Sequence, residues 1–325
     1  MKALLCHEFG STENLKLTTT ERPKPQKGQL VISVKACGVN FPDSLIIQNK
    51  YQFKPNLPFA PGGEVAGIVK EIGEGIEHLK VGDRVFSLTG WGGFAEEVLA
   101  DGYKTLPIPE GMDFITAATT MYTCGTSLHA LKQRAQLKKG ETLLVLGAAG
   151  GVGLAAVQIG KLMGAKVIAA ASTDEKLELC KTKGADEVIN YSTEDLRERI
   201  KALTDNQGVD VVYDPVGDRF SEPAVRSLAW QGRYLVVGFA GGVPASIPLN
   251  LPLLKGASIV GVFWGAFAQK QPKDSMANFQ QILAWIKSGQ LNQHIHKEYP
   301  LNEGAQAIQD LMERKVMGKN VVVIE

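Results

Sequence analysis

The sequence predicts an α/β protein in two parts, a β-rich barrel-like domain and then a doubly wound parallel sheet. Three observations predict it. Short strand-like runs between turn residues fill the stretch up to residue 122. From residue 123 onward, apolar strands alternate with helix-patterned segments. At 325 residues the chain is also long for a single core.

In the first part, MKALLCHEFG reads as a strand, since its apolar run is too short for a signal peptide. LVISVKACGV (30–39), GEVAGIVKEIG (63–73) and VGDRVFSL (81–88) read as further strands. Pro23, Pro25, Gly28, Gly73, Gly75 and Gly82 punctuate them, with a helical patch near 42–49. Strands this frequent suggest a barrel. In the second part TLLVLG (142–147) is a strand and GVGLAAVQIGKLMG (151–164) a helix. KVIAAAS (166–172), DEVINY, VDVVYDPVG (209–217), RYLVVGF (233–239) and ASIVGVFW (257–264) are strands, with helices at 174–184 and 194–204. Continuously apolar strands suit a parallel sheet buried on both faces. Helices near 275–288 and 302–315 and a strand NVVVIE close the chain.

Composition narrows the function. Hydrophobic residues make up 44% and charged residues 21%, as in a soluble globular protein. A formal net charge of +1 offers no basic footprint for nucleic acid or a membrane surface, and no apolar run reaches bilayer length. Cys6, Cys37, Cys124 and Cys180 form no CxxC pair, so free thiols and a cytoplasmic location are expected.

Residues 147–153, GAAGGVG, fit G-x-x-G-x-x-G between an apolar strand and an Ala-rich helix. The pattern is weak alone, but here it opens a run of βα units, where dinucleotides bind. Helix N–H groups and the positive end of the helix dipole would meet a pyrophosphate there. No Gly-Lys-Ser/Thr follows, which excludes a P-loop. The competing reading is close strand–helix packing with no ligand. An NAD site usually carries an acid at the end of the second strand; here Ala171-Ser172-Thr173 stand there, with Lys176 in the next helix turn. That favours NADP, whose 2′-phosphate would meet the lysine. Alternatively, Ser172 and Glu175 form a capping box and Lys176 is merely solvated.

With these motifs in hand, the chain resembles the zinc-free quinone oxidoreductase family of the medium-chain dehydrogenase/reductase superfamily. The resemblance rests on PGGEVAGIVKEIG (61–73), KVGDRVF (80–86), LVLGAAGGVGLAAVQIGKLMGA (144–165), GADEVINY (184–191), VVYDPVG (211–217) and GKNVVV (318–323). It implies a GroES-like catalytic domain over 1–122, a Rossmann domain over 123–264, and a return segment over 265–325 that completes the first. The cofactor is expected in the cleft between the two domains, and a homodimer through the Rossmann sheets. The zinc branch of the superfamily carries a cysteine ligand where this chain has Asn40 and a histidine where it has Gly63. SLTGWGGFAEE has no cysteine for a structural zinc lobe, and the five histidines form no donor cluster. His294 and His296, two apart, read as surface sequence. No metal is expected.

The resemblance further implies that Gly150, Gly151 and Val152 line the pyrophosphate, and that Ser172, Lys176 and Tyr191 hold the NADPH 2′-phosphate. Phe239, Ala240, Phe263, Trp264, Gly265, and Lys319 or Asn320 match segments near the nicotinamide. Asn40, Asp43, Tyr51 and Thr126 match the family's cleft. A tyrosine found in some relatives is Leu45 here. Asn40 also suits a helix N-cap, since Pro42 and Asp43 follow it, and Tyr51 also suits simple packing.

Without a metal or an acid–base pair, the chemistry falls to the nicotinamide. The expected reaction is hydride transfer from NADPH to a quinone, with Asn40 and Tyr51 donating hydrogen bonds to the acceptor oxygen. The alternatives are reduction of an α,β-unsaturated carbonyl, and a non-catalytic nucleotide- or RNA-binding role.

Overall fold

The computed structural model describes residues 1–325. The chain divides into two compact units, Met1–Tyr122 with Gln293–Glu325, and Thr123–Asn292. The second unit extends beyond the expected boundary at 264, so the chain returns at Gln293 rather than at residue 265.

The first unit opens with β1 (Lys2–Cys6) and β2 (Leu15–Thr19), an antiparallel pair. Its main sheet holds β3 (Gln29–Gly38), β4 (Glu64–Ile72), β5 (Arg84–Leu88), β6 (Glu97–Asp101) and β7 (Thr105–Pro107). Helix α1 (Phe41–Ile46) leaves the end of β3, and α2 (Met121–His129) spans the boundary between the units. The long strand β3 is the hub, pairing antiparallel with both β4 and β6. Its apolar side chains, Leu30, Ile32 and Val34, are buried in one cluster with Val65, Val85 and Phe94.

In the second unit β8 (Thr142–Leu146), α3 (Gly151–Leu162), β9 (Lys166–Ala171), α4 (Asp174–Thr182), β10 (Glu187–Asn190) and α5 (Leu196–Leu203) alternate. Strands β11 (Val209–Asp214), β12 (Leu228–Val236) and β13 (Ser258–Gly261) complete a sheet ordered β10-β9-β8-β11-β12-β13. Every neighbouring pair in it is parallel. The order reverses beside β8, which makes the end of β8 the switch point where such sheets bind ligands. Strand β8 is apolar on both faces because both are covered: Leu143, Leu144, Val145 and Leu146 are all buried. Helices α6 (Trp264–Lys270) and α7 (Pro272–Lys287) end this unit.

The chain then returns to the first unit through β14 (Ile295–Pro300), α8 (Gly304–Met312) and β15 (Lys319–Val323). Strand β15 pairs antiparallel with β3, which sets Val321 opposite Gly38. His296 is exposed on β14, whereas His294, just before the strand, is half-buried.

Candidate functional site

In the second unit, the predicted cofactor residues share one edge of the sheet. All six strands run the same way, so every segment that follows a strand emerges at the carboxyl edge. Gly150–Val152 follow β8, Ser172 and Lys176 follow β9, and Tyr191 follows β10. Phe239 and Ala240 follow β12, and Phe263–Gly265 follow β13. Residues scattered over more than a hundred positions are thereby aligned at one rim.

The glycine turn resolves into separate tasks. Gly147 has φ +56°, the left-handed region that favours glycine. At Gly153 a side chain would overlap the carbonyl oxygen of Gly147, so close packing explains that glycine. At Gly160, further along α3, a Cβ would lie 2.6 Å from Leu143 Cδ2 on β8. Packing does not explain Gly150. A Cβ there would meet only the Gly147 carbonyl oxygen at 3.4 Å, an ordinary contact. Gly150 is also the N-cap of α3, and no side chain caps the helix. The first N–H groups of a twelve-residue helix therefore face an uncluttered turn, the arrangement that suits a pyrophosphate.

At the next corner the helix cap differs from the capping-box alternative. Thr173, not Ser172, is the N-cap of α4, and its hydroxyl accepts from Lys176 N–H at 3.3 Å. Ser172 is left for the rim, where its Oγ accepts from Lys176 Nζ at 3.4 Å. Tyr191 stands on the adjoining strand end, since Asn190 pairs with Ala171, and its ring lies against Phe220 with centroids 4.3 Å apart. No carboxylate occupies the Ser172 position. A hydroxyl and an ammonium are paired there, with a tyrosine at the adjoining strand end, a donor set for a phosphate.

The remaining residues of this unit divide by burial. Phe239 and Phe263 are exposed, 41% and 51%. Trp264 is buried against Gly125, where a Cβ would lie 2.8 Å from its ring, and meets Phe279 edge-on. The indole anchors the segment that carries Phe263 and Gly265. Thr126 is half-buried on α2. Its neighbour Ser127 donates to the Val152 carbonyl at 2.8 Å and ties α2 to the glycine turn.

In the first unit Asn40 is the N-cap of α1, as its helix-start reading required. Its backbone N–H donates to Asp43 Oδ2 at 2.7 Å. Its side-chain amide donates to Glu64 Oε2 at 2.8 Å and to the Gly38 carbonyl at 3.2 Å, and Oδ1 accepts from Lys319 Nζ at 2.6 Å. Both amide protons are taken. This corrects the expectation that Asn40 donates to an acceptor oxygen. Lys319 and Asn320 both turn their side chains into the first unit's interior. Lys319 Nζ reaches the Val39 carbonyl, and Asn320 Nδ2 the Ala307 carbonyl at 3.1 Å.

Asp43 is buried, and its second oxygen accepts from Gly62 N–H at 3.0 Å. Burial pushes its carboxyl up to about 6, against the pull of those backbone N–H groups. Tyr51, half-buried beyond α1, makes an edge contact with Phe53 at 5.9 Å. Burial and the Asp43 charge raise its phenol above the ordinary value. Its hydroxyl makes no hydrogen bond within the chain and stays available as a donor. Sequence reasoning missed Glu64, which is fully buried and accepts from Asn40, Lys319 and Tyr122 N–H. Its only signal was its place in PGGEV.

These donors do not fit a zinc ion. Asn40 and Glu64 already hold the Lys319 ammonium, and no three His, Cys, Asp or Glu residues converge.

Comparison with known proteins agrees with this architecture. Residues 26–110 match the alcohol dehydrogenase GroES-like domain, and residues 151–287 the zinc-binding dehydrogenase domain. A quinone oxidoreductase-like protein 2 from Bos taurus is 39% identical over 98% of this chain and 91% of its own. The chain belongs to the quinone oxidoreductase family of medium-chain dehydrogenases/reductases. It is an oxidoreductase, in a family of NADPH-dependent enzymes. The Escherichia coli quinone oxidoreductase, solved in complex with NADPH, superposes with a TM-score of 0.92 at 29% identity, covering 99% of this chain and 100% of that one. An enoyl reductase, CurK, superposes at 0.89 with 26% identity, covering 100% of this enzyme and 99% of its own chain.

Proposed function

We propose that this enzyme is a zinc-independent, NADPH-dependent reductase whose acceptor is a quinone. The observation that carries the cofactor is the rim of the parallel sheet, where the uncapped α3 N-terminus stands in line with Ser172, Lys176 and Tyr191. Backbone N–H groups of Gly151 and Val152 would receive the pyrophosphate, and Gly150 leaves room for it. Ser172, Lys176 and Tyr191 would hold the 2′-phosphate. Phe239, Ala240, Phe263 and Gly265 would border the nicotinamide, with Trp264 anchoring the last two. Bound there, NADPH supplies the hydride.

The chain's own contribution to the chemistry is modest. Tyr51 donates its free hydroxyl to the acceptor oxygen as charge develops there. Asn40 and Asp43 position α1 rather than touch the acceptor. Both Asp43 oxygens accept from backbone N–H groups, which ties it to the start of α1 and to Gly62. A quinone suits such a site because it accepts hydride without a strong general acid, and solvent completes the protonation. An activated alkene conjugated to a carbonyl is the second reading, supported by the likeness to the enoyl reductase.

We also infer a homodimer through the free edge of the parallel sheet. Strand β13 is the outermost strand there, Ile259 on it is exposed, and Trp230, Leu253 and Leu254 add exposed apolar surface to the same unit. No helix is long and apolar enough to cross a membrane. All four cysteines are free and buried, in keeping with a cytoplasmic protein. The deciding assay is NADPH oxidation against a panel of quinones and enones, with and without chelator. Quinone turnover that survives exhaustive chelation is expected; turnover of enones alone, or activity that disappears with zinc removal, would reject the reading.

A further inference from the structure

The Lys319 ammonium is enclosed by oxygen. It lies 2.8 Å from the Val39 carbonyl, 2.6 Å from Asn40 Oδ1 and 3.4 Å from Glu64 Oε2. An ammonium has three N–H bonds, and three acceptors surround this one. Lysine and glutamate side chains are 3% and 0% exposed, so neither charge is shared with water. Glu64 spends its other oxygen on Tyr122 N–H, and the Asn40 side-chain amide donates a hydrogen bond to Glu64 Oε2. The three oxygens stand at the spacing of hydrogen bonds to an ammonium.

We propose that Lys319 is a structural cation whose ammonium, held among Val39, Asn40 and Glu64, positions through Asn40 helix α1 and the Tyr51 segment that follows. The path is short. Asn40 caps α1, its N–H binds Asp43, and Asp43 in turn holds Gly62 N–H. Beyond α1, a turn in which Lys50 N–H donates to the Leu45 carbonyl delivers Tyr51. Shortening Lys319 would leave the Glu64 carboxylate buried without its counter-charge, the situation in which ion-pair loss is most damaging. Lys319 is thus a positioning residue, and its effect on the reaction rests on the reading of Tyr51 given above; its effect on the fold does not.

The test uses the full-length enzyme in two variants, Lys319→Ala and Lys319→Met, with thermal melting as the first readout. Both should melt about 10 °C below the parent. Propylammonium chloride should raise the melting point of Lys319→Ala above the same concentration of sodium chloride, and leave Lys319→Met and the parent unmoved. Zinc should not substitute. In the kinetic arm, kcat/KM for the acceptor should fall about tenfold in Lys319→Ala and recover with propylammonium, with KM for NADPH unchanged. The double variant Glu64→Gln/Lys319→Met should melt above Lys319→Met alone, because it removes the stranded charge. Parental melting of Lys319→Met, restoration by zinc rather than propylammonium, or no gain in the double variant would each overturn the proposal. Should the parent itself reduce no acceptor, the proposed function fails while the melting results still decide the role of Lys319.

Discussion

Lys319 Nζ sits 2.6 Å from Asn40 Oδ1, a contact across 279 positions of sequence that removes Asn40 from direct chemistry. Asn40→Ala should therefore act on stability. It strips a partner from both Lys319 and Glu64, and each buried group left unsatisfied costs about 1–3 kcal/mol. Tyr51→Phe should behave oppositely. It deletes a hydroxyl with no partner in the chain, so melting stays unchanged while kcat/KM for the acceptor falls roughly tenfold to a hundredfold. Melting curves beside acceptor kinetics separate the two; a stable, slow Asn40→Ala would contradict the assignment.

Lys176 pairs with Ser172 where an NAD site would carry an acid. A charge-assisted phosphate contact contributes about 1.5–3 kcal/mol, so Lys176→Ala should weaken NADPH use about tenfold or more and leave NADH use nearly unchanged. Steady-state comparison of the two cofactors checks this. Equal losses for both would mean that Lys176 does not read the 2′-phosphate.

Two glycines of the same turn should give opposite phenotypes. In Gly153→Ala the new Cβ overlaps the Gly147 carbonyl, and melting should fall by an amount typical of overpacking, about 1–3 kcal/mol. In Gly150→Ala the new Cβ fits the protein and intrudes only where the pyrophosphate is proposed to lie. That variant should melt normally and bind NADPH more weakly, as read by fluorescence titration. Normal binding in a well-folded Gly150→Ala would remove the pyrophosphate from that turn.

Asp43 gives the fold a pH dependence of defined sign. Burial holds its carboxyl near 6 in the folded chain, above the ordinary 3.8. Between these values the folded state binds more protons than the unfolded one. The stabilisation is thus complete below the lower value and lost as pH rises through about 6. A displacement of that size is worth about 3 kcal/mol. Unfolding free energies of the parent and Asp43→Asn, measured between pH 4 and pH 7, should show the parent's advantage shrinking as pH rises; an advantage that grows would refute the assignment.

Ile259 lies exposed on the outermost strand of the parallel sheet. Ile259→Lys should disfavour strand pairing at that edge and shift the enzyme toward monomer, because charge on an edge strand blocks pairing. Sedimentation velocity of the two proteins provides the measurement. Identical profiles would exclude that edge as the interface.

By itself the sequence determined the alternation of strands and helices from β8 to β11 and the glycine turn. Both are local signals: the apolar run of β8, the Ala-rich α3, and a left-handed position at Gly147 can be read from neighbouring residues. Ser172 and Lys176 were legible for the same reason, being four positions apart at one strand end. That Ser172 does not cap the helix was not, because Ser172 and Thr173 both suit an N-cap, and only the observed backbone assigns it to Thr173. The return point at Gln293 was equally hidden, since the pattern of a helix such as α7 is the same whichever unit it packs on. Asn40 shows the limit most plainly. Its residue type and its place before Pro42 foretold a helix start. Whether its amide faces a substrate or the interior depended on Glu64 and Lys319, brought to it by the pairing of β3 with β4 and β15. Hydrogen bonds of that range are made by the sheet register, and no local pattern encodes them.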